Sequence, residues 1–294
     1  MINFLSHNEI DKEKWNRCIK DSALPSIFAN FEMLSLASSQ WCALVEDDYR
    51  RVMPLVVRKK WGIPYICTPV FFSSGGVFSS TPVTAEKVTQ FIQQIPRKFW
   101  RADLLLNGNC SISSDSSLRT YQLSLKDSYC EIAKNYSDNC KRNIKKAYKQ
   151  SLFYQEEGDL ASIITLFRKN RVEAKMLKQF DYESLLKYAS FCFNQKWLTL
   201  CSVYNNDNTL LAGAFMLHDF QYIRFWFSGR DNTYANANAM FFLIDNYLKN
   251  HAESNSIFDF NGSMNQNIAR FYKGFGAQEM RIPYVSIRNF NRNI

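Results

Sequence analysis

The alternation of apolar and polar stretches along the chain occurs twice in the same order. Three apolar runs begin at Trp41, namely WCALVE, RVMPLVVR and IPYICTPVFF, and three more begin at Trp197, namely WLTLCSVY, TLLAGAFML and QYIRFWFS. Apolar runs of this length, bounded by Asp, Asn and Gly, are typical of strands joined as a meander. Pro54 and Pro64 fall inside the first set, which indicates sheet edges or bulges there. The pattern therefore predicts two three-stranded meanders.

Each predicted meander is followed by a helix and then by a short strand that ends in Asn-Gly. Apolar residues recur at helical spacing in residues 84–95 and 238–250. The strands that follow read DLLLNG, ending at Gly108, and FDFNG, ending at Gly262. Because the five elements recur in one order, we predict two domains, 1–126 and 127–294. Each is expected to be a mixed, mainly antiparallel sheet flanked by helices, of the α/β (α+β) class.

The segment between the meanders is predicted to be mostly helical and strongly basic. Ser128 and Glu131 match a capping box, which opens a linking helix over about residues 128–151. Asp159 is placed to cap the next helix, and a further helix is predicted over residues 182–194. The linking helix carries five cations, Lys141, Arg142, Lys145, Lys146 and Lys149. On a helix they form two adjacent rows, which are either a solvated face or a binding surface for the phosphates of CoA, tRNA or a nucleotide-linked substrate.

Composition narrows the classes of function. The length of 294 residues and the apolar fraction of 46% suit two domains of ordinary size. The net charge of +9 favours anionic partners without specifying one. The eight cysteines are scattered without a CxxC pair, so no metal site is predicted. The three histidines, His7, His218 and His251, leave little material for a Ser-His-Asp or Cys-His mechanism.

A cytoplasmic location is expected from the same sequence. The N-terminus lacks the basic and apolar regions of a signal peptide. No run of about 18 apolar residues occurs, so no membrane span is expected. Several cysteines lie in apolar stretches, where a free cysteine behaves as a small apolar residue. Free cysteines indicate a reducing compartment.

Residues 197–287 resemble the GNAT superfamily of N-acyltransferases. Their order of meander, helix, strand, helix and strand is that of the GNAT fold. The stretch NIARFYKGFGAQE is similar to the last GNAT helix and its end, with Phe271 before Tyr272 and Gly276 four residues after the tyrosine.

The duplicated layout resembles more closely the Fem-like branch, in which two GNAT domains form one chain. Members of that branch carry a basic NIRKA-like helix between the domains, and residues 143–147, NIKKA, match it. They also end with FDF-like and FK-x-GFGA-like segments, which FDFNGS and FYKGFGA match here. The resemblance covers nearly the whole chain in layout and is specific over about 40 residues.

The resemblance implies two different acyl donors. In Fem aminoacyltransferases a lysine directly follows the phenylalanine of the last segment, and it stabilises charge as an ester is attacked. Here Tyr272 has that place and Lys273 comes one residue later. Tyrosine is what acetyl-CoA-dependent GNAT enzymes use to protonate the leaving thiolate. The resemblance thus favours acetyl-CoA or another acyl-CoA as donor and an amine of a small molecule or peptide as acceptor.

Two alternatives stay open from the sequence. One is a Fem-like peptidyltransferase that takes its acyl group from aminoacyl-tRNA and acts on a cell-wall precursor. The other is an inactive GNAT-like pair that serves as a binding module. The second alternative is supported by the loop that follows the third strand of the second meander. GNAT enzymes have a Gly-rich loop there, whose amides bind the CoA pyrophosphate, whereas SGRDNTYANANA contains Gly229 alone.

The resemblance places the cofactor-binding residues at this end of the strand. Arg230 would supply charge, and Asn236 or Asn238 would cap the following helix. The candidates are Phe227, Ser228, Gly229, Arg230, Asn236 and Asn238.

Acyl transfer requires loss of a proton from the amine, stabilisation of an oxyanion and protonation of the leaving group. Tyr272 is the candidate acid, and the alternative is a core tyrosine. Lys273 either takes part in catalysis or complements the helix dipole. Asp259 is a candidate base, because burial in an apolar strand raises the pKa of a carboxyl; the alternative is a structural acceptor. Glu173 is a weaker candidate base, and Arg224 is expected to pair with a carboxylate rather than bind a ligand anion.

Overall fold

The computed structural model describes residues 1–107, 116–169, 182–262 and 264–288. They form two compact units. The first unit contains the residues up to Leu118 together with those from Arg281 onward, and the second unit is Arg119–Met280. Gly108, at the end of the predicted strand DLLLNG, lies outside the described residues.

The helices and strands alternate irregularly along the chain. The strands are β1 (Ile2–Leu5), β2 (Cys42–Glu46), β3 (Arg51–Leu55), β4 (Val57–Lys60), β5 (Ile63–Cys67), β6 (Phe78–Ser79), β7 (Arg101–Leu105), β8 (Ser116–Ser124), β9 (Phe153–Gln155), β10 (Leu198–Tyr204), β11 (Leu210–Asp219), β12 (Tyr222–Arg230), β13 (Ile257–Asp259) and β14 (Gln278–Arg288). The helices are α1 (Lys12–Lys20), α2 (Phe31–Ala37), α3 (Ala85–Gln93), α4 (Tyr129–Lys134), α5 (Asp138–Ala147), α6 (Leu160–Lys169), α7 (Tyr182–Asn194), α8 (Ala239–His251) and α9 (Gln266–Gly274).

The predicted meander of the first unit is divided between two sheets. One sheet has the order β1-β2-β3-β6, and the other pairs β4 with β5, β5 with β7 and β7 with the end of β14. The apolar run RVMPLVVR is therefore two strands, β3 and β4, separated at Val56, and the prediction of one strand was wrong. β3 pairs with β2, whereas β4 pairs with β5. Pro54, in β3, has no N–H with which to form a hydrogen bond to a neighbouring strand.

The second unit contains the predicted meander unbroken. Its sheet has the order β8-β13-β12-β11-β10-β9, in which β10, β11 and β12 are antiparallel neighbours. β13 runs parallel to β12 and antiparallel to β8. The mixed α/β class with mainly antiparallel strands is thus confirmed. Apolar side chains of α8, including Leu243 and Tyr247, pack with Phe258 and Phe260 to form the core of this unit.

The predicted linking helix is two helices rather than one. α4 begins after Ser128, whose hydroxyl accepts from the amide of Glu131 at 3.4 Å. α5 begins after Ser137, whose hydroxyl accepts from the amide of Cys140 at 3.2 Å. A second capping serine in the middle of the segment explains the break, because a cap satisfies amides that an uninterrupted helix would bond internally.

The remaining helices of the second unit follow the prediction closely. Asp159 caps α6 by accepting from the amide of Ser162 at 2.7 Å. α7 spans the residues predicted, and α8 agrees within a residue at each end. Tyr129 and Tyr148 donate hydrogen bonds of 2.9 Å and 3.1 Å to the buried carboxylate of Asp245, which ties α4 and the end of α5 to α8. Among the described residues, no helix is both long and apolar enough to span a bilayer.

Candidate active site

A one-residue bulge in β12 shapes the site. Phe225 and Phe227 pair with consecutive residues of β11, so Trp226 is an additional residue on β12. Strict alternation would put Phe225 and Phe227 on one face, and the bulge puts them on opposite faces. The ring centroid of Phe225 lies 6.3 Å from that of Tyr272 on α9. That of Phe227 lies 4.6 Å from Phe167 on α6.

β12 and β13 are paired over only part of their length. Their register ends where Arg224 lies opposite Asp259, and β12 continues to Arg230 without β13 beside it. A cavity of about 460 Å³ is lined by the end of β12, the start of α8 and one side of α9. This volume is within the range of pockets for small ligands and cofactors. Its aromatic lining residues are Phe167, Phe225, Tyr234, Phe241, Phe271 and Tyr272.

Tyr272 lies in the wall of this cavity. Its ring stacks on Phe260 with 4.6 Å between centroids, and 9% of its surface is exposed. Its hydroxyl makes no hydrogen bond to any residue that the structure describes. Burial, and then the negative charge of Asp259, raise the pKa of Tyr272 well above its ordinary value. The phenol therefore stays protonated at neutral pH and can donate a hydrogen bond to a ligand.

Lys273 does not line the cavity. Its side chain is 53% exposed, and its Nζ lies 3.0 Å from Oε2 of Glu279. Successive residues of an α-helix are about 100° apart around the axis, so an inward Tyr272 turns its neighbour to the surface. The arrangement favours a surface ion pair for Lys273.

Asp259 is buried but is not the isolated carboxylate that the sequence suggested. Arg224 bridges Asp259 and Asp219, with 2.8 Å from its Nη1 to Asp259 and 2.7 Å from its Nε to Asp219. The expectation that Arg224 pairs with a carboxylate is confirmed. Each oxygen of Asp259 accepts from two donors, which are Thr120 and the amide of Asn261 for Oδ1, and Gln122 and Arg224 for Oδ2. This geometry favours the structural role for Asp259 over that of a base.

The first turn of α8 borders the cavity and contains backbone amides without an acceptor among the described residues. Asn238 precedes the helix with φ of 54°, and its side chain caps nothing; it donates instead to the carbonyl of Asn236 at 3.0 Å. The expectation that Asn236 or Asn238 caps α8 through its side chain was therefore wrong. The amides of Ala239 and Met240, which line the cavity, have no acceptor among the described residues. Free amides at a helix N-terminus attract anions.

Charged side chains flank this turn. Arg230 is exposed, and its Nε donates to the side chain of Asn232 at 3.1 Å. Asp231 accepts from Lys169 at 2.8 Å and from the amide of Thr233 at 2.9 Å. Burial alone would raise the pKa of Asp231, but these donors hold it below its ordinary value. Asp231 therefore remains ionised, and it is the one carboxylate among the described residues of the cavity lining.

Gly229 lines the cavity and also lets α6 approach the sheet. A Cβ at this position would lie 2.7 Å from the backbone nitrogen of Phe167 and 3.0 Å from the carbonyl oxygen of Ile163. Both distances are shorter than a carbon atom tolerates against backbone. Packing of α6 thus explains this glycine without a pyrophosphate.

The structure brings together some of the expected site residues and separates others. Ser228, Gly229, Arg230, Asn238 and Tyr272 line one cavity. Asn236 and Lys273 are not among its lining residues, and neither is Phe227, because the bulge turns that ring toward α6. Glu173 lies outside the described residues.

The sequence did not single out three contributors to the site. Phe241 and Phe271, whose ring centroids are 4.8 Å apart, form an aromatic wall. Both were visible as apolar positions of helices, but the same positions are usual for core residues. Asp231 follows Arg230 directly, and only the fold shows that Lys169 neutralises it.

Comparison with solved structures identifies the fold. FemX superposes over 95% of this chain and 96% of its own length, with a TM-score of 0.66 at 10% sequence identity. The chain has a tandem, GNAT-like fold of the Fem type. A conserved protein of unknown function from Bacteroides thetaiotaomicron matches this double GNAT-like chain over 98% of its residues and 100% of that protein, with a TM-score of 0.63 at 11% identity.

A more distant match extends the comparison. The C-terminal domain of a putative lysylphosphatidylglycerol synthetase from Agrobacterium fabrum covers 94% of this chain, at 90% of its own length, with a TM-score of 0.51 at 9% identity. Neither a protein-family model nor a curated protein sequence matches the chain. At these identities the likeness shows the fold, and function has to be argued from the site.

Proposed function

We propose that the chain is an N-acyltransferase of the GNAT type. It binds an acyl-CoA in the cavity of the second unit and transfers the acyl group to an amine of a small molecule or peptide. The observation that carries the proposal is a single cavity with the free amides of Ala239 and Met240 at the start of α8 and the protonated hydroxyl of Tyr272 in its wall.

The parts of the acyl-CoA donor match successive features of the cavity. The pyrophosphate of CoA lies at the first turn of α8, where amides and the helix dipole favour negative charge. Arg230 adds a cation there. The pantetheine arm follows the end of β12, which has no neighbouring strand beyond the Arg224–Asp259 pair. Its thioester then lies near Tyr272, beside the residues that follow β13.

The chemistry at the thioester uses Tyr272 as a hydrogen-bond donor. The amine nitrogen attacks the thioester carbonyl carbon, a C–N bond forms, the C–S bond breaks, and the thiolate gains the proton that the amine gives up. A phenol with a raised pKa is a weaker acid than a thiol, whose ordinary pKa is about 8.5. Complete proton transfer from Tyr272 is therefore uphill, and its hydrogen bond stabilises the charge that develops in the transition state.

Deprotonation of the amine falls to the solvent in this scheme. The pKa of Asp231 is lowered, and its carboxylate already forms a salt bridge with Lys169, so it is a poor base. Asp259 has all its acceptor positions in use. The rate is therefore expected to rise with pH as the free amine is formed, up to the pKa of the acceptor.

A second candidate is a Fem-like transferase that uses aminoacyl-tRNA and acts on a cell-wall precursor. The four basic side chains of α5 and that of Lys149, two residues after it, favour this candidate, because all five are exposed and none has a salt bridge within the part of the chain that the structure describes. Exposed cations that no carboxylate neutralises are available to RNA phosphates. Against it, the position of the Fem-like lysine is held by Tyr272, and Lys273 is paired with Glu279 outside the cavity.

The test is thermal unfolding of the purified full chain with millimolar acetyl-CoA, CoA, charged tRNA or uncharged tRNA. A ligand present at about 100 times its Kd stabilises the folded state by about 2.7 kcal/mol. We expect acetyl-CoA to raise the midpoint, and the Arg230→Gln variant to reduce that rise while its unliganded midpoint stays unchanged. A rise with charged tRNA alone would support the second candidate. A cooperative transition that neither donor shifts would contradict both and leave an inactive binding module.

A further inference from the structure

The β4–β5 hairpin of the first unit ends in an exposed tryptophan. Lys60 pairs with Ile63 across the hairpin, so Trp61 and Gly62 are its two turn residues. Trp61 has φ of 52° and Gly62 has φ of 79°, as a type I′ turn requires. Asn, Asp or Gly usually takes the first of these positions, because bulky side chains disfavour positive φ.

This tryptophan contributes little to packing. Trp61 is 89% exposed, so its ring makes few contacts that offset the strained backbone. A bulky residue kept in a disfavoured conformation on the surface suggests a role outside folding. The question is then what the ring meets.

The tip combines apolar and cationic groups without an acidic residue. Arg58, Lys59 and Lys60 precede the turn, and none forms a salt bridge with any described residue. Nζ of Lys60 lies 4.7 Å from the centroid of the Trp61 ring. Ile63, opposite Lys60, is 50% exposed. The tip is thus a small apolar surface beside three cations that no carboxylate among the described residues neutralises.

We propose that this hairpin tip docks the protein on an anionic lipid surface, with Trp61 and Ile63 entering the headgroup layer. Indole rings favour the membrane–water interface, where one edge is wet and the rest is apolar. Each Lys or Arg near an anionic surface strengthens binding about fivefold. Nucleic acid fits the tip less well than a lipid surface does. A single-stranded base stacks on aromatic rings, and Ile63 has no ring on which a base could stack. The proposal is independent of the cavity in the second unit.

The experiment is sedimentation of the full chain with vesicles of phosphatidylcholine, with and without phosphatidylglycerol. We expect binding to the anionic vesicles at low salt and a partition coefficient about tenfold lower for Trp61→Asn. Asparagine suits the type I′ turn, so this variant should keep or raise the thermal midpoint. Replacing both Lys59 and Lys60 by Gln should lower binding about 25-fold, because each of the two cations contributes about fivefold.

Phe220→Asn is the matched control. Phe220 also stands at a hairpin turn with positive φ, 55°, and is 47% exposed, but Asp219 and Gln221 flank it in place of cations. Its vesicle binding should equal that of the unmodified chain. Equal partition of the Trp61→Asn variant, or no preference for anionic vesicles, would overturn the proposal. So would Trp61-dependent binding of a single-stranded oligonucleotide without vesicle binding, which would assign the tip to nucleic acid.

Discussion

Replacing Tyr272 by phenylalanine removes one oxygen atom from the wall of the cavity and little else. The ring keeps its stacking on Phe260 and its contacts with Phe225 and Tyr121. The hydroxyl has no hydrogen-bond partner among the described residues, so the free energy of unfolding should change by less than about 1 kcal/mol.

The effect on catalysis should be far larger. Loss of one donor that stabilises developing charge costs about 2.7–4 kcal/mol of transition-state stabilisation, or about 10²- to 10³-fold in kcat. In the proposed complex the phosphates of the acyl donor contact the amides of Ala239 and Met240 rather than the hydroxyl of Tyr272. We therefore expect kcat to fall by that factor, with the thermal shift produced by acetyl-CoA preserved.

The assay is steady-state release of free thiol from acetyl-CoA in the presence of an amine found by screening. Tyr247→Phe is the matched control, because Tyr247 is also a buried tyrosine of the second unit whose hydroxyl has no hydrogen-bond partner in the described parts of the chain, and it does not line the cavity. That variant should keep full activity. A Tyr272→Phe enzyme with unchanged kcat would refute the role of the hydroxyl, and an equal loss in both variants would show that the activity reports packing.

Two further predictions concern the scaffold. Gly229→Ala should lower the free energy of unfolding by about 1–3 kcal/mol in urea titration, because the new Cβ meets the backbone of α6; Gly274→Ala, whose Cβ would lie 3.4 Å or more from its neighbours, should be tolerated, and equal stability of both variants would contradict the packing account. Glu156 should contribute stability that is lost at low pH, because the hydrogen bond from His251 lowers the pKa of Glu156 to about 2. A depressed carboxyl pKa stabilises the folded state above the unfolded value of 4.5 and loses that effect as pH falls toward 2. In the Glu156→Gln variant the thermal unfolding midpoint should depend less on pH over that window. An unchanged pH dependence would show that the Glu156–His251 pair does not cause it.

The second unit was more predictable from sequence than the first, because its paired strands are closer together in the sequence. The strands β10, β11 and β12 are joined by tight turns, so local polar breaks mark them. RVMPLVVR reads as one strand, yet its two halves pair in different sheets. One of the two partners of β7 is β14, which lies more than 170 residues later in the sequence. Pairings between distant segments leave no periodic signal in either segment.

The resemblance named Tyr272 and Ser228 as candidate site residues, and both line the cavity. Phe227 was expected at the cofactor site because the resemblance places that site at the end of its strand, but the bulge turns its ring toward α6, and a bulge has no signature in side-chain type. Asn238 was expected to cap through its side chain, whereas its positive φ turns that side chain back to the preceding turn.

The extra residue in β12 affects the cavity without affecting the pairing of the strands. Phe225 and Phe227 already pair with adjacent residues of β11, so deleting Trp226 would leave every cross-strand partner in place. What such a deletion would remove is the bend that a bulge imparts to its strand. We therefore expect deletion of Trp226 to straighten β12 and narrow the cavity beside it while the strand order stays the same. A difference of one residue in the length of β12 would then change the cavity without changing the fold.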